Sequence, residues 1–392
     1  MPIGSDKSNS CDSFGFAPAT ITPRLQTRAD SSPSPARTGI TDTGFLTDRW
    51  YLAAASAELK PGQQVRRVLL GEPVMLGRTK AGQAFALRDI CPHRLVPLSE
   101  GQQIETDGVP TVQCPYHGWR FGTDGVCKLM PSLTDGQDMD VSRVRVRRYP
   151  SHEANGALFI YIAHDPRTEA EPVTEPPTFG PLPTKPKFTL TRTFNAHMDD
   201  AVVGLMDPAH VPFVHSQWWW RPPSAGLKLK EKPFEPRPRG WAIARHTPSS
   251  NSLPYRIVFG GEVKTEIIFQ LPGFRWEIVE NDKARLLTLT CLMPVAAKET
   301  RITQLTWWTG APLLNLAIPI LKPAGRKFLD QDGDMVDLQN QGLAYQKNML
   351  WIDDIDVQAK WYQILKREWA SARTEQRDFA NPIEPTTLRW MS

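Results

Sequence analysis

The sequence predicts an α+β chain of two folded parts, an all-β part followed by one of antiparallel strands and helices. Three observations carry this. Short β-branched and aromatic runs broken by Gly and Pro fill residues 50–162. Residues 165–187 hold Pro166, Pro172, Pro176, Pro177, Pro181, Pro183 and Pro186, a density that forbids regular structure. Beyond Phe188, strand-like runs alternate with stretches of helical period. A chain of 392 residues is long enough to build both cores.

Taken in order, residues 1–43 are rich in Ser, Pro and Thr and have no hydrophobic period. A disordered tail is expected there, with a targeting role as the alternative. Residues 44–165 form the all-β domain, with strands expected in "RRVLLGEPVMLGR" (66–78), "AFALRDI" (84–90) and "ALFIYIA" (157–163). Residues 166–187 read as a stiff linker. Residues 188–392 form the larger domain. Strands are expected there at 239–246, 254–270, 273–280, 284–294 and 301–309, and helices near 197–206, 325–342 and 354–370. In the last helix Val357, Trp361, Leu365 and Trp369 recur at i+4 and make one core-facing stripe. The short apolar run Ala311 to Leu321 contains Pro312 and Pro319 and reads as buried or pocket-lining.

Composition excludes several classes. The net charge of +4 is too small to point to nucleic acid. No run approaches the length of a membrane span, and the start lacks the basic-then-apolar pattern of a secretory signal. Five cysteines, an odd and sparse count, argue against a disulfide framework and for a reducing, cytoplasmic setting. Cys11 falls in the tail, while Cys127 and Cys291 read as core thiols.

Cys91 and Cys114 differ because each sits beside a histidine, in "CPHR" (91–94) and "CPYHGWRF" (114–121). Two loops each offer one sulfur and one nitrogen. That is the donor set of a Rieske [2Fe-2S] centre, in which two His replace two Cys on one iron. Cys91 and Cys114 would hold one iron, His93 and His117 the other. Zinc is the chemical rival, but zinc fingers group Cys with Cys and His with His, whereas here they alternate.

A second group lies in "MDPAHVPFVH" (206–215). Two His and a carboxylate with open positions make the facial triad of non-haem Fe(II) oxygenases. His210 and His215 are the imidazole candidates, and Pro212 between them requires a distorted segment. On its own the segment also allows a blander reading, with Asp207-Pro208 capping a helix and His215 at the surface. The carboxylate must come from later. Asp330, Asp332, Asp334 and Asp337 crowd one predicted helix, and Asp332 alone has apolar neighbours (Phe328, Leu329, Met335, Val336) three and four residues away. A carboxylate on a buried face needs a partner, which a metal supplies; Asp334 is the second candidate.

Together "CPHR…CPYHGWRF" and "DPAHVPFVH" closely resemble the metal motifs of Rieske ring-hydroxylating oxygenases and their demethylase relatives. The resemblance runs from about residue 44 to 371 and is specific only at those motifs. It implies a Rieske [2Fe-2S] domain followed by a helix-grip (START-like) catalytic domain with a mononuclear Fe(II) held by His210, His215 and Asp332. It implies that Asp207 is not a ligand but the carboxylate linking a cluster histidine to His210. O₂ is the implied co-substrate. Electrons come from a separate ferredoxin or flavin reductase that oxidises NAD(P)H, since the chain itself has no dinucleotide fingerprint. A head-to-tail homotrimer is implied as well, an allowed cyclic assembly.

The expected activity is hydroxylation or oxidative demethylation of a hydrophobic aromatic or polycyclic substrate. A ring-dihydroxylating dioxygenase is the alternative within the enzymes, and a Rieske electron carrier without oxygenase activity is the alternative outside them. Two departures from the family stand out. His93 and Cys114 are separated by a few more residues than usual, the extra length reading as a hairpin turning at Asp107-Gly108. Gly204 stands where many relatives have Asn.

Three features keep two readings each. Arg143, Arg145, Arg147 and Arg148 read as a solvated strand face or as a docking patch for an acidic donor. "QWWWRPP" (217–223) reads as pocket lining or core. His152, His164, His197 and His246 lack ligand-spaced partners and read as non-metal.

Overall fold

A computed structural model describes residues 44–165, 171–215, 226–247, 259–346 and 348–392. The tail expected over 1–43, residues 166–170 of the linker and the Trp-rich segment lie outside these residues.

The N-terminal part is all-β. β1 (Arg49–Ala55), β11 (Ala157–Ile162) and β10 (Ser151–Ala154) make a three-stranded antiparallel sheet. β2 (Gln64–Leu69), β3 (Glu72–Arg78), β4 (Ala84–Arg88) and β9 (Arg148–Tyr149) make a second sheet. β5 (Gln102–Thr106), β6 (Val109–Gln113), β7 (Arg120–Gly122) and β8 (Cys127–Leu129) make a third. The expected hairpin extension is the β5–β6 hairpin, whose two turn residues Asp107 and Gly108 both have positive φ, 50° and 76°. That is the conformation a tight two-residue hairpin demands.

The C-terminal part is an eight-stranded antiparallel sheet. Its members are β12 (Phe188–Phe194), β13 (Leu229–Arg237), β14 (Gly240–His246), β15 (Lys264–Gln270), β16 (Phe274–Glu280), β17 (Arg285–Ala296), β18 (Glu299–Thr309) and β19 (Thr386–Met391). The order is β12-β18-β17-β16-β15-β14-β13-β19. The helices are α1 (Met198–Met206), the one-turn α2 (Val211–Val214), α3 (Leu314–Leu343) and α4 (Val357–Thr374). α4 is the gripped helix: its Trp361 meets Phe234 and Trp241 at 5.5 and 5.6 Å between ring centroids, and Tyr362 meets Phe269 at 5.8 Å.

Several expectations needed correction. The run Ala311–Leu321 is only partly buried: Ala311 and Leu314 join a core cluster, and Ile318 and Pro319 line a shallow cavity. It opens α3, with Leu313, Leu316 and Ile320 exposed. Pro319 and Pro323 sit inside this helix, and both are exposed, so water can reach the carbonyls they leave without a donor. β12, β13 and β19 were not expected; Pro233 and Pro236 hide β13, because proline cannot donate to a ladder. β15 runs over Lys264–Gln270; of the strand expected over 254–270, residues 254–258 lie outside the described residues and 259–263 are not strand.

The expected linker carries no helix or strand over 171–187, yet it is not free. Phe179 is buried against Trp276 and Trp307, with ring centroids 5.2 and 5.3 Å apart. One apolar cluster joins β1 and β11 to α1, α4 and the large sheet, through Tyr51, Leu158, Met198, Trp361 and Leu365. At the same junction the backbone N–H groups of Leu70 and Gly71 donate to the carbonyls of Pro294 and Val295, at 2.8 and 2.9 Å.

Candidate metal centres

Two loops of the N-terminal part share one design. The first follows β4 and holds Cys91 and His93; the second follows β6 and holds Cys114 and His117. In each, the Cys carbonyl accepts from the N–H four residues on, Leu95 or Gly118, at 2.9 and 3.2 Å. In each, the Cys N–H donates to the carbonyl five residues on, Val96 or Trp119, at 2.9 and 2.8 Å. Leu95 and Gly118 both take positive φ, 61° and 71°. A proline follows each cysteine and stiffens the turn.

These matched turns bring the four side chains together. The His93 and His117 ring centroids are 4.5 Å apart, and Trp119 stacks on His93 at 4.6 Å. Both cysteines are buried free thiols in mutual contact. Burial, and the Cys114 thiol beside it, push the Cys91 thiol up to about 11. Burial and the neighbouring His117 and Arg94 lower the His93 imidazole. Nδ1 of each histidine is buried and has no hydrogen-bond partner among the described residues. The set fits a cluster: two thiols in contact, and two imidazoles with an unpartnered nitrogen each. Cys127 is buried in the core beneath the loops with Phe121, Val112 and Leu98.

The second group lies between α1, α2 and α3. Asp207 ends α1, and its Oδ1 accepts from Ala209 N–H at 2.7 Å. It does not cap a following helix, so the bland sequence reading of Asp207-Pro208 does not describe this turn. His210 and His215 flank the single turn α2, which carries Pro212 at its start. From α3 comes Asp332, whose Oδ1 is 3.1 Å from His215 Nε2 and 3.5 Å from His210 Nε2. One donor atom from each of His210, His215 and Asp332 lies within 4.8 Å of the others.

Electrostatics match this geometry. Burial works against the charged form of His210, but the hydrogen bond and charge of Asp332, with Asp207 behind, raise it overall. Burial alone would raise Asp332, yet His210 and His215 lower it overall. His210 Nδ1 and His215 Nε2 are buried and make no hydrogen bond among the described residues. The donor set of two imidazoles and one carboxylate fits a facial triad.

Sequence reasoning missed the residues that orient this group. Gln331 Oε1 is 3.2 Å from His215 Nδ1, and Phe328 stacks on the His215 ring at 3.4 Å. It also misjudged the other aspartates. Asp330, Asp334 and Asp337 do not simply face solvent: all three converge on Arg192 of β12. Gly333 leaves room for that guanidinium, since a Cβ there would fall 2.2 Å from Arg192 Nε. Gly204, at the position of interest in α1, faces Val336 of α3, where a Cβ would come within 3.3 Å. Met335, expected on the apolar face, is exposed.

The remaining expectations sort as follows. His197 caps α1 by accepting from Asp199 N–H, and His164 contacts Thr47 and Arg373. Arg143, Arg145 and Arg148 are exposed, while Arg147 lies over Tyr149 at 4.8 Å. Among the described residues no helix is long and apolar enough to cross a membrane.

Comparison with known proteins agrees with this picture. Residues 49–150 match the Rieske [2Fe-2S] domain family. Pheophorbide a oxygenase of Arabidopsis thaliana is 27% identical over 341 residues, 81% of this chain and 60% of that protein. Chlorophyllide a oxygenase of Arabidopsis thaliana is 30% identical over 182 residues, 46% of this chain and 31% of that protein. The chain thus spans less than two thirds of the length of either relative. Among solved structures, apo dicamba monooxygenase superposes with a TM-score of 0.62 at 20% identity, covering 85% of this chain and 99% of that one. Residues 49–150 thus belong to the Rieske [2Fe-2S] domain family, and the chain shares the fold of dicamba monooxygenase over most of its length.

Proposed function

We propose that this chain is an oxygenase component that hydroxylates or oxidatively demethylates a hydrophobic aromatic or polycyclic substrate. Cys91, Cys114, His93 and His117 hold a [2Fe-2S] cluster, and His210, His215 and Asp332 hold a mononuclear Fe(II). The observation that carries this reading is the meeting of three donor atoms within 4.8 Å, on a chain that also has a Rieske domain. When bound, the two centres supply stored electrons and an O₂-activating iron with open coordination positions. A pure electron carrier has no use for the second group.

The chain's own residues prepare that chemistry. Gln331 Oε1 accepts the Nδ1 proton of His215, which leaves the Nε2 lone pair, beside Asp332 Oδ1, free for a metal. Phe328 covers the His215 ring, which is fully buried, and keeps water from it. Asp207 Oδ2 stands 3.8 Å from His210 Nδ1 and is the group placed to take that proton. In this reading Asp207 is the electron-transfer bridge. Leu95 and Tyr116 stand exposed on the two cluster loops beside Arg94, an amphipathic face for a ferredoxin or flavin reductase. NAD(P)H acts only through that partner.

We further infer a homotrimer and a cytoplasmic setting; the four described cysteines are all free, in keeping with a reducing compartment. The relatives' names, which give pheophorbide a, chlorophyllide a and dicamba as what they act on, support an organic substrate of that kind. Arene dihydroxylation is the second reading at enzyme level.

The test is turnover with a surrogate ferredoxin and reductase over a panel of methoxylated and unsubstituted aromatics, with O₂ uptake, formaldehyde and hydroxylated products measured. Substrate-dependent O₂ uptake with formaldehyde or a monohydroxylated product supports the proposal. A cis-diol product selects the dioxygenase reading. Cluster reduction with no substrate-dependent O₂ uptake across the panel selects the electron carrier.

A further inference from the structure

A cavity of about 690 Å³ lies between the Pro-rich segment, β1 and one face of β15–β17. Its apolar wall includes Trp50, Phe274, Trp276 and Leu287. Ile268 faces it, whereas its neighbour Phe269 packs on Trp241 and Tyr362. Alternation along β15 therefore puts the Ile268 wall on the sheet face opposite Tyr362, while Arg49 at the other end of the cavity reaches Trp369 of α4. None of His210, His215 and Asp332 lines it.

The polar end of this cavity is unusual. Arg49 is 2% exposed, and its Nε and Nη2 find no acceptor among the described residues. Its guanidinium rests 3.6 Å from the centre of the Trp369 ring. Thr174 Oγ1 is likewise buried without a partner. Arg239 lines the same cavity and makes no ion pair among the described residues. Burial, then the charge of Arg239, bring the Arg49 guanidinium down to about 9. Arg237 and Arg285 also line the cavity, but glutamates pair with both. Glu175, the carboxylate on its wall, is exposed.

The backbone adds a second observation. Pro238 and Arg239 form the two-residue β13–β14 turn, and Arg239 has φ 60°. After a proline this position favours glycine, so an arginine there carries strain. A buried guanidinium, touched only by the distant charge of Asp48, faces the half-buried Arg239, and two buried donor groups go unmet. Both conditions are costly in a folded protein.

We propose that this cavity binds a hydrophobic organic carboxylate. Its ring system lies against Trp50 and Trp276, and its carboxylate takes the donors of Arg49, Arg239 and Thr174. The site stands apart from the iron centre and does not depend on the activity assigned above.

The test is calorimetric titration of the full chain with 2-naphthoate and with its neutral counterpart 2-naphthamide. The wild type should prefer the acid by about tenfold or more, as expected for charge-assisted hydrogen bonds. In Arg239→Gln, which alters an accessible turn, the preference should fall to near parity, and iron and sulfide contents should not change. Arg49→Gln should behave alike if it folds; Arg239→Gln carries the test if it does not. His210→Ala should bind naphthoate as the wild type does. Equal affinity for acid and amide, no binding of either, an undiminished preference in Arg239→Gln, or loss of binding in His210→Ala would each overturn the proposal.

Discussion

Arg192→Gln should loosen the mononuclear iron without touching the cluster. Arg192 leaves β12 with only 15% of its side chain exposed and donates to the Asp330 carbonyl. It also reaches Asp334 Oδ1 at 2.9 Å and Asp337 Oδ2 at 3.4 Å. These contacts pin α3 to the sheet on either side of Asp332. The three aspartates are a third to two thirds exposed, so each ion pair contributes only about 0.5 kcal/mol. The charge-assisted bond to the half-buried carbonyl adds about 1 kcal/mol. A total of about 2.5 kcal/mol, if felt at Asp332, weakens iron binding up to about sixtyfold. The assay is iron and acid-labile sulfide per chain after a timed chelator challenge. Arg192→Gln should lose iron faster than wild type while sulfide stays constant. Gly333→Ala, whose Cβ displaces the guanidinium, should do the same. A lowered melting temperature with wild-type iron retention would refute the reasoning and leave Arg192 a purely structural clamp.

Two further outcomes follow from the same geometry. Gln331→Leu removes the acceptor for His215 Nδ1 and should weaken iron affinity by about 10- to 100-fold, read by competition with a chromogenic chelator; unchanged affinity counts against Gln331 as the orienting group. Glu153 is held below its ordinary range by Arg78, which grips it in two bonds of 2.7 and 2.9 Å. A depressed carboxylate contributes stability above its unfolded value, and that stability is lost as pH falls through the folded value. Glu153→Gln should therefore be less stable than wild type near neutrality, with the gap closing below about pH 4; parallel stability curves through that range would contradict it.

The two metal groups differ in how legible they were. Cys91 with His93 and Cys114 with His117 stand close in sequence on loops, so local spacing was enough to group them. Asp332 required a helix, and the apolar neighbours at i±3 and i±4 singled it out among four aspartates. Gln331 and Phe328 carry no such mark, because a glutamine or phenylalanine becomes an orienting group only when a distant histidine lands on it. Arg192 is more than a hundred residues from the aspartates it binds, so those aspartates read as solvated. In the fold, strands with alternating or continuous apolar runs were found. β13 was hidden by two prolines and β19 by its shortness, six residues at the end of the sequence. The first turns of α3 were lost for the same reason, since Pro319 and Pro323 argue locally against a helix that continues through them.

The most direct measurement is iron, zinc and acid-labile sulfide per chain on anaerobically purified protein, with an EPR spectrum after dithionite reduction, for wild type and His210→Ala. The account predicts about three iron and two sulfide with a Rieske-type signal in wild type, and about two iron with the signal intact in the variant. Zinc without sulfide, or a signal lost with His210, would contradict it.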